Sequence, residues 1–290
     1  MPSQKEIDAG VPGGVYLCQV NDNVSCGACC GLYNVERADR HALAAMLEYR
    51  TRRFSGTPRT MDAILGFAEE IHGHEPALMP YPEFHHCPYI GMVGDKKARV
   101  GCLLHPLADG NGGVDFRGLS YYGGMACRTY FCPTCKSMNP VYKRVIRSVA
   151  DDWHAYGLIV TEAVLVDSFF KELESLLGRA LDAGDIVGHE GREALIRRFI
   201  GLRRDWPFRS RPEKLCNYFF EDRRYLKSPV DYGPAGGGES GQPHDALFRE
   251  LESRFASEEA LRAAERMFDE LFDEWVTLVD ASPHKGPRGG

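Results

Sequence analysis

The chain has 290 residues, 43% of them hydrophobic, and a formal net charge of −6 at pH 7. This length and apolar content allow a buried core in one large domain or two ordinary ones. The negative net charge does not indicate a nucleic-acid-binding protein, and no apolar run approaches the ~20 residues needed to cross a bilayer. Because the N-terminus also lacks a signal-peptide pattern, the sequence predicts a cytoplasmic protein with reduced cysteines.

The first half of the chain predicts two helices and one β-hairpin, separated by irregular segments. In chain order, the predicted elements are a strand near residues 15–20, a helix over 36–52, a second helix from Thr60, and a hairpin with strands at 89–93 and 100–104. Residues 108–113, ADGNGG, predict a loop. The stretch 117–135 is rich in glycine and aromatic residues and shows no helical period.

The second half of the chain predicts helices. Asn139 is suited to a helix N-cap and Pro140 to the first helical position. Apolar stripes at helical spacing run from Tyr142 to Trp153, from Leu165 to Leu177, from Leu195 to Ile200, and from Leu261 to Leu278 in a helix that begins at Ser257. Residues 228–244, rich in glycine and proline, predict a flexible linker.

Together these patterns predict a predominantly helical α+β protein. An irregular cysteine-rich metal-binding domain with a short β-hairpin would occupy residues 1–138, and a helical domain over 139–290 would pack against it. The region 192–227 is basic and rich in aromatic residues, with 11 Lys/Arg against 5 Asp/Glu, whereas the final helical region 245–280 has 11 acidic residues and 4 Arg. We expect these regions to pack together rather than to bind nucleic acid.

The ten cysteines are concentrated in the first half of the chain. Clustered cysteines in a reducing compartment more often bind metal or carry out redox chemistry than form disulfides. Eight are therefore predicted as metal or cofactor ligands: Cys26, Cys29, Cys30, Cys87, Cys102, Cys127, Cys132 and Cys135. Cys18 and Cys216 are isolated in sequence and are predicted to be buried structural thiols.

The segment CGACC, residues 26–30, cannot easily form a local disulfide. The Cα atoms of the adjacent Cys29 and Cys30 lie about 3.8 Å apart, closer than disulfides prefer. Cys26 and Cys29 form a CxxC motif that lets two thiolates bind one metal centre, which leaves Cys30 for another corner of a cluster or for a second site.

The remaining candidate ligands lie in the hairpin and after it. The predicted hairpin would bring Cys87 and Cys102 together. Cys127, Cys132 and Cys135 have the spacing C-x4-C-x2-C, which also occurs in plant-type ferredoxins. Eight thiols suffice for two sites of four thiolates or for one cluster with others left over, and they suit zinc and iron–sulfur centres equally well. His85, His86 and His105 lie near cysteines in sequence but are interpreted as polar loop residues.

Three segments together resemble the bacterial CxxCxxCC (YkgJ-like) family of zinc- or iron-chelating, or Fe–S-cluster-containing, proteins: CGACC, then CPYIGMVGDKKARVGCLLHP, then CRTYFC. The cysteines that match the family pattern are Cys26, Cys29 and Cys30 in the first motif, Cys87 in the later Cys-Pro, Cys102, and Cys127 in the Cys-Arg pair. The resemblance covers roughly residues 15–136. The first cysteine of the family motif is replaced by Asn23, so that Cys132 or Cys135 would supply the lost ligand.

The resemblance implies an iron–sulfur cluster, of the 4Fe–4S type, with Cys26, Cys29, Cys87 and Cys102 as its leading ligands. The family's best-known activity is the methylation of flagellin lysines. The implied function is a redox or protein-modifying enzyme acting on a protein or peptide, and a groove lined by Tyr121, Tyr122, Arg128 and Tyr130 would favour it. Two alternatives stay open: a zinc-stabilised interaction module without catalysis, and a protein lysine N-methylase.

Overall fold

The computed structural model describes residues 3–33, 35, 37–75, 86–211, 227, 229–235 and 243–281. This part of the chain is predominantly helical and contains one two-stranded antiparallel sheet, which confirms the predicted α+β class at this level. The helices are α1 (Gln4–Ala9), α2 (Arg40–Ser55), α3 (Met61–His74), α4 (Gly123–Thr129), α5 (Pro133–Ser137), α6 (Pro140–Val149), α7 (Trp153–Val160), α8 (Ala163–Leu177), α9 (Glu190–Asp205), α10 (Asp245–Glu250) and α11 (Glu258–Asp280). Within these ranges, no helix has both the length and the apolar character of a membrane span.

Polar side chains fix the starts of the long helices. The Asp39 carboxylate accepts a hydrogen bond from the backbone N–H of Ala42 at the start of α2. Asn139 caps α6 with Pro140 at its first position, and Ser257 caps α11, so both predicted helix starts are confirmed. Each cap satisfies a backbone N–H that has no partner inside the helix.

The predicted hairpin is also confirmed, with strands β1 (Ile90–Val93) and β2 (Arg99–Cys102). Ile90 lies opposite Cys102 in the antiparallel register. Helix α2 packs on β1, where the Thr51 hydroxyl accepts from the N–H of Met92 at 2.7 Å and donates to its carbonyl oxygen at 3.1 Å. The hairpin is therefore held against α2 by side-chain hydrogen bonds as well as apolar contacts.

The largest apolar cluster joins the helical part of the chain to the cysteine-rich part. It contains most of the buried side chains of α6 to α11, and Phe169 stacks on Phe199 inside it with ring centroids 3.7 Å apart. Val15, Leu17 and Val24 from the N-terminal segment are buried in the same cluster. The segment that carries Cys18 and Cys26 is thus anchored directly on the helices.

Several expectations about the elements are wrong. Residues 15–20 do not form a strand; the structure has only an isolated bridge between Gln19 and Ser25, because the chain turns where Asn21 accepts two backbone N–H groups. Trp153 does not continue the α6 stripe, since α6 ends at Val149 and a new N-cap at Asp152 starts α7. The stretch 117–135, which shows no helical period, contains the short helices α4 and α5.

The basic helix α9 packs against the acidic helix α11, as predicted for the described part of the basic region. Arg198 forms an ion pair with Glu274, and Arg192 Nη2 donates to the carbonyl oxygen of Leu278 at 2.9 Å. Residues 212–226 of the basic region, and residues 228 and 236–242 of the predicted linker, lie outside the described residues.

Candidate metal centre

A tight turn brings Cys18 beside Cys26. The backbone N–H of Cys26 donates to the carbonyl oxygen of Cys18 at 2.8 Å, next to the bridge between Gln19 and Ser25. Residues 28–30 then form a single 3₁₀ turn that ends at Gly31, whose φ of 76° suits glycine. Successive side chains in such a turn project about 120° apart.

The CGACC segment packs closely against the hairpin. A Cβ atom on Gly27 would lie 2.6 Å from Cδ1 of Ile90 and 2.9 Å from Cδ2 of Leu32. Glycine at this position therefore lets the cysteine segment approach β1. Gly31, which directly follows the CGACC segment, instead ends the 3₁₀ turn with its positive φ.

The backbone also joins Cys30 to Cys87. The N–H of Cys87 donates to the carbonyl oxygen of Cys30 at 2.9 Å, and the Cys30 side chain hydrogen-bonds with the side chains of Cys29 and Cys87. Cys102, opposite Ile90 in the hairpin, lies close enough to the Cys87 and Cys127 thiols to interact electrostatically with both. Cys87 lies just before β1 and Cys102 ends β2, and their thiols interact electrostatically.

Eight thiols fall into two adjoining groups by these contacts. Group one contains Cys18, Cys26, Cys29 and Cys132. Group two contains Cys30, Cys87, Cys102 and Cys127. The two groups are connected, because the Cys29 side chain hydrogen-bonds with that of Cys30 and interacts with Cys87, and Cys135 also interacts with Cys18 and Cys132.

Burial and mutual repulsion keep most of these thiols protonated. Burial raises the pKa of Cys102 to about 12 and that of Cys132 to about 11, and neighbouring thiols add to both shifts. Burial and the Cys29 thiol raise the pKa of Cys26 well above its usual value. Cys29 differs, because the hydrogen bond from Cys30 lowers its pKa. A bound cation would reverse the cost of ionising these groups.

Cys135 has contacts that suit a packing role. Its buried Sγ donates to the carbonyl oxygens of Pro12 at 3.6 Å and Val15 at 3.7 Å. The Lys143 ammonium donates to the carbonyl oxygens of Gly13 at 2.6 Å and Cys135 at 2.9 Å. These bonds tie α5 to the N-terminal segment, while Cys132, at the N-cap of α5, lies near Cys29.

The described residues do not contain three histidine, cysteine, aspartate or glutamate side chains placed to hold one metal ion. The donor chemistry nevertheless suits a soft metal, because both groups consist of thiols, the ligands that select zinc and iron–sulfur centres. Of the histidines near them in sequence, His86 is buried with Nδ1 3.4 Å from Arg50 Nη2, and His105 accepts a hydrogen bond from the N–H of Leu107 at 3.1 Å. His85 lies outside the described residues.

Exposed aromatic and apolar side chains lie beside group two. Tyr121 and Met125 are 80% and 82% exposed, and Tyr122 and Tyr130 are also exposed. Tyr122 interacts electrostatically with the thiols of group two, and Tyr130 with Cys132 and Cys29. Two of the residues predicted to line a groove, Tyr122 and Tyr130, therefore lie near the thiols.

Arg128, the fourth residue predicted to line the groove, forms an ion pair with the Asp115 carboxylate at 2.8 Å. Arg117 also pairs with Asp115, at 2.7 Å, and the Arg117 hydrogen bond holds the pKa of that carboxyl well below its usual range. A separate cavity of about 310 Å³ lies between α2 and the hairpin, lined among others by Thr51 and Met92, and none of its lining residues is a cysteine.

Sequence reasoning missed Cys18 as a member of the thiol groups. Cys18 and Cys26 are symmetric about Asp22 in the segment VNDNV, whose asparagines favour a tight turn. The predicted turn could have identified Cys18, because a tight turn brings the two cysteines that flank it close together. Cys216, the other thiol predicted to be structural, lies outside the described residues.

The chain matches no protein-family model, and comparisons with curated proteins and with solved structures find no similar chain.

Proposed function

We propose that this chain is an iron–sulfur protein that binds a 4Fe–4S cluster through its clustered thiols. It would act in the reducing cytoplasm as a redox or protein-modifying enzyme. The observation that carries the proposal is the convergence of thiols from separate segments of the chain. The N-terminal turn, the hairpin, α4 and the start of α5 each contribute at least one cysteine to the two groups.

Structural packing alone is a poor reason for this convergence. A buried cysteine behaves as a small apolar side chain and gains nothing from having other thiols around it. Each additional thiol makes ionisation of its neighbours harder, as for Cys26 beside Cys29. A metal centre gives the arrangement a purpose, because thiolates are the form that binds metal and the cation compensates their charge.

Zinc is the main competitor, because four thiolates also suit a structural zinc site. CGACC, the Cys-Pro hairpin and the Cys-Arg pair resemble a family of zinc- or iron-chelating, or Fe–S-cluster-containing, proteins, and the iron–sulfur cluster of its best-known activity favours iron. A zinc site would supply only folding energy, whereas an iron–sulfur cluster supplies a one-electron couple whose potential depends on exposure and on hydrogen bonds to the sulfur ligands.

The described residues provide both features that affect the reduction potential of a cluster: hydrogen bonds to the cysteine sulfurs and exposure to solvent. The backbone N–H of Ala28 lies 3.5 Å from Cys26 Sγ, and the Ser120 hydroxyl lies 3.1 Å from Cys127 Sγ. Cys29 and Cys127 are exposed, so the thiol groups reach the protein surface. Tyr121 and Met125, exposed beside them, provide apolar area for contact with a protein partner or substrate.

The test is a visible spectrum of anaerobically purified protein before and after dithionite, with iron, zinc and sulfide assayed on the same sample. We expect a brown protein that bleaches on reduction and holds iron and sulfide in equal amounts. Cys26→Ala should lower the iron content, while Cys135→Ala, a matched control in the packing role, should retain it. A colourless protein that holds zinc without iron would overturn the proposal.

A further inference from the structure

We propose that the cleft between α2 and the hairpin binds a small organic anion that has an apolar body and a single carboxylate. The cleft has a volume of about 310 Å³, which lies at the lower end of the range for small-molecule sites. None of its lining residues is a cysteine. The inference therefore goes beyond the proposed iron–sulfur function and does not depend on it.

Apolar side chains line one part of the cleft. Phe54 of α2, Met92 of β1 and Leu103, which follows β2, contribute to the lining and are otherwise buried in the fold. Val93 and Ala108 add further apolar surface. This part of the cleft suits the hydrocarbon body of a ligand, because apolar surface gains free energy when it leaves water.

The hydroxyl groups of the cleft already have partners within the protein. The Thr51 hydroxyl accepts from the N–H of Met92 and donates to its carbonyl oxygen, and Ser55 Oγ donates to the carbonyl oxygen of Arg52 at 2.7 Å. These groups do not need a ligand to satisfy them. The cleft thus offers little to a ligand rich in hydroxyl groups, such as a sugar, and recognition would come from charge and apolar contact.

The charged residues of the cleft leave a net positive charge. Three cations line it, Arg52, Arg59 and Lys97, against the two carboxylates of Glu48 and Asp109, although the whole chain has a formal net charge of −6. Lys97 and Asp109 form an ion pair. Glu48, one helical turn before Arg52 on α2, offsets the charge of that arginine. The positive charge that remains without a carboxylate is that of Arg59.

Neutral acceptors fix the Arg59 guanidinium in place. Its Nε donates to Asn111 Oδ1 at 2.7 Å, and its Nη2 donates to the carbonyl oxygen of Asp109 at 2.9 Å. Its Nη1 donates to the carbonyl oxygens of Phe54, at 2.8 Å, and Thr57. The guanidinium carbon also lies 4.2 Å from the centroid of the Phe54 ring. The cation is therefore held in a defined position before any ligand arrives.

This arrangement is suited to a carboxylate. The bonds to neutral acceptors use four of the five N–H groups of Arg59, and no carboxylate pairs with it among the described contacts. Partial burial lowers the pKa of Arg59, in agreement with a cation that lacks a counter-ion. A ligand carboxylate would supply that counter-ion, and arginine is the cation that recognises carboxylates best.

The test uses three probes with the same hydrocarbon chain and different head groups: hexanoate, hexanol and hexylamine. Met92 lines the cleft, so its methyl signal in NMR spectra of the full chain, identified by its loss in Met92→Leu, reports occupation. The methyl signal of Met125, which is 82% exposed and does not line the cleft, is the reference. We expect a saturable shift of Met92 alone, with hexanoate binding most tightly and hexylamine least.

Charge variants separate the contribution of the head group. Arg59→Met should weaken hexanoate binding by about tenfold, as expected for the loss of one bond to a charged group, and should change hexanol binding little. Because this variant also removes bonds within the loop, the exposed Glu48→Gln is a second test, and it should strengthen hexanoate binding by removing a repelling charge. Arg53→Met, outside the cleft on the same helix, is the matched control and should change neither affinity.

Three results would overturn the inference. They are a Met92 signal that no probe shifts to saturation, hexanoate binding no tighter than that of hexanol or hexylamine, and a preference for hexanoate that Glu48→Gln and a folded Arg59→Met protein both leave unchanged. None of these results bears on the proposed function, because none depends on iron. A chain that binds hexanoate at Met92 but contains no iron would overturn the proposed function and leave this inference intact.

Discussion

Arg50 holds the backbone at Cys87: its Nη1 donates to the Cys87 carbonyl oxygen at 3.0 Å. The guanidinium is fully buried and forms an ion pair with Glu75, the residue that follows α3. Nε of Arg50 donates to one oxygen of Glu75 at 3.0 Å, and Nη2 donates to the other. A buried charge thus orients one of the cysteines of group two.

Replacing Glu75 by alanine should destabilise the protein by ~3–5 kcal/mol, because the Arg50 guanidinium would keep its charge in a buried site without a counter-ion. Urea denaturation of the purified protein measures this loss. The Arg53–Glu70 pair links the same two helices but is exposed, with side-chain exposures of 51% and 38%. Glu70→Ala is therefore a matched control and should cost much less stability than Glu75→Ala, because solvent screens the exposed pair. Equal losses in the two variants would show that the buried pair has no special role.

The sequence was sufficient to predict the elements with strong local signals. Helix caps such as Asn139 and Ser257, and the alternating hairpin strands, depend on neighbouring residues and appear where expected. Leu43 and Leu47, four residues apart, are both buried in α2, as their helical spacing indicates. Such features arise from short-range sterics and hydrogen bonds that the sequence displays directly.

Other parts of the site depend on contacts between distant segments. The short helices α4 and α5 have no apolar period of their own, and α5 is held by Lys143 and by Cys135, which bonds to residues more than a hundred positions earlier. The placement of Cys18 follows from a turn and from burial of Val15 and Leu17 among the helices. Helix propensity and cysteine spacing do not report contacts between residues that are far apart in the chain. The candidate thiols could therefore be identified from the sequence, but not which of them lie near one another.

Gly157→Ala should destabilise the protein by ~1–3 kcal/mol through overpacking. Gly157 lies in α7, and a Cβ atom there would lie 1.8 Å from the hydroxyl oxygen and 2.7 Å from Cζ of Tyr33. The Tyr33 ring, which follows the CGACC segment, would have to move. Thermal denaturation of the variant measures the loss.

Gly66→Ala is the control for this substitution. Gly66 is exposed in the middle of α3, and nothing lies within 4 Å of a Cβ atom built on it. Alanine should therefore stabilise the protein there by about 0.8–1 kcal/mol through helix propensity. The two substitutions are chemically identical, so their opposite signs would isolate the contact with Tyr33. A stabilised Gly157→Ala variant would contradict the packing of α7 against this ring.

Asp8→Asn should show a stability cost that depends on pH. Burial raises the pKa of Asp8, but Arg147, the N–H of Tyr16 and the Gln4 amide outweigh it and hold the pKa below its ordinary 3.8. Arg147 Nη1 lies 2.6 Å from Asp8 Oδ1. A lowered pKa in the folded state adds stability above the unfolded pKa, and this contribution is lost as the pH falls through the folded pKa.

The wild-type chain should accordingly exceed Asp8→Asn in stability by ~1.5–3 kcal/mol near neutral pH, the range for hydrogen bonds to charged groups. The difference should shrink as the pH falls below about 4, where Asp8 becomes protonated in the unfolded chain and then in the folded one. Denaturant titrations of both proteins across this range measure it. The exposed Asp22→Asn variant controls for the change in net charge, and a pH-independent cost for Asp8→Asn would refute the assigned ion pair.

Removing the proposed iron should loosen the cysteine-bearing segments and leave the helical core folded. The N-terminal turn and the 3₁₀ turn of residues 28–30 contain few backbone hydrogen bonds of a regular ladder, so metal–thiolate bonds would supply much of their order. Helices α8 and α9 have their own apolar contacts, including the stack of Phe169 on Phe199. Local stability therefore differs between these regions.

Hydrogen exchange with mass spectrometry, before and after anaerobic treatment with an iron chelator, would measure this difference. We expect faster exchange in peptides that cover residues 15–33 and α4, and unchanged protection in α8 and α9. The Cys135→Ala variant should respond like the wild type, because its substitution removes no proposed ligand. Uniform loss of protection would mean that the metal stabilises the whole fold. Unchanged exchange near Cys18 and Cys26, despite complete iron removal, would show that packing alone holds the N-terminal turn.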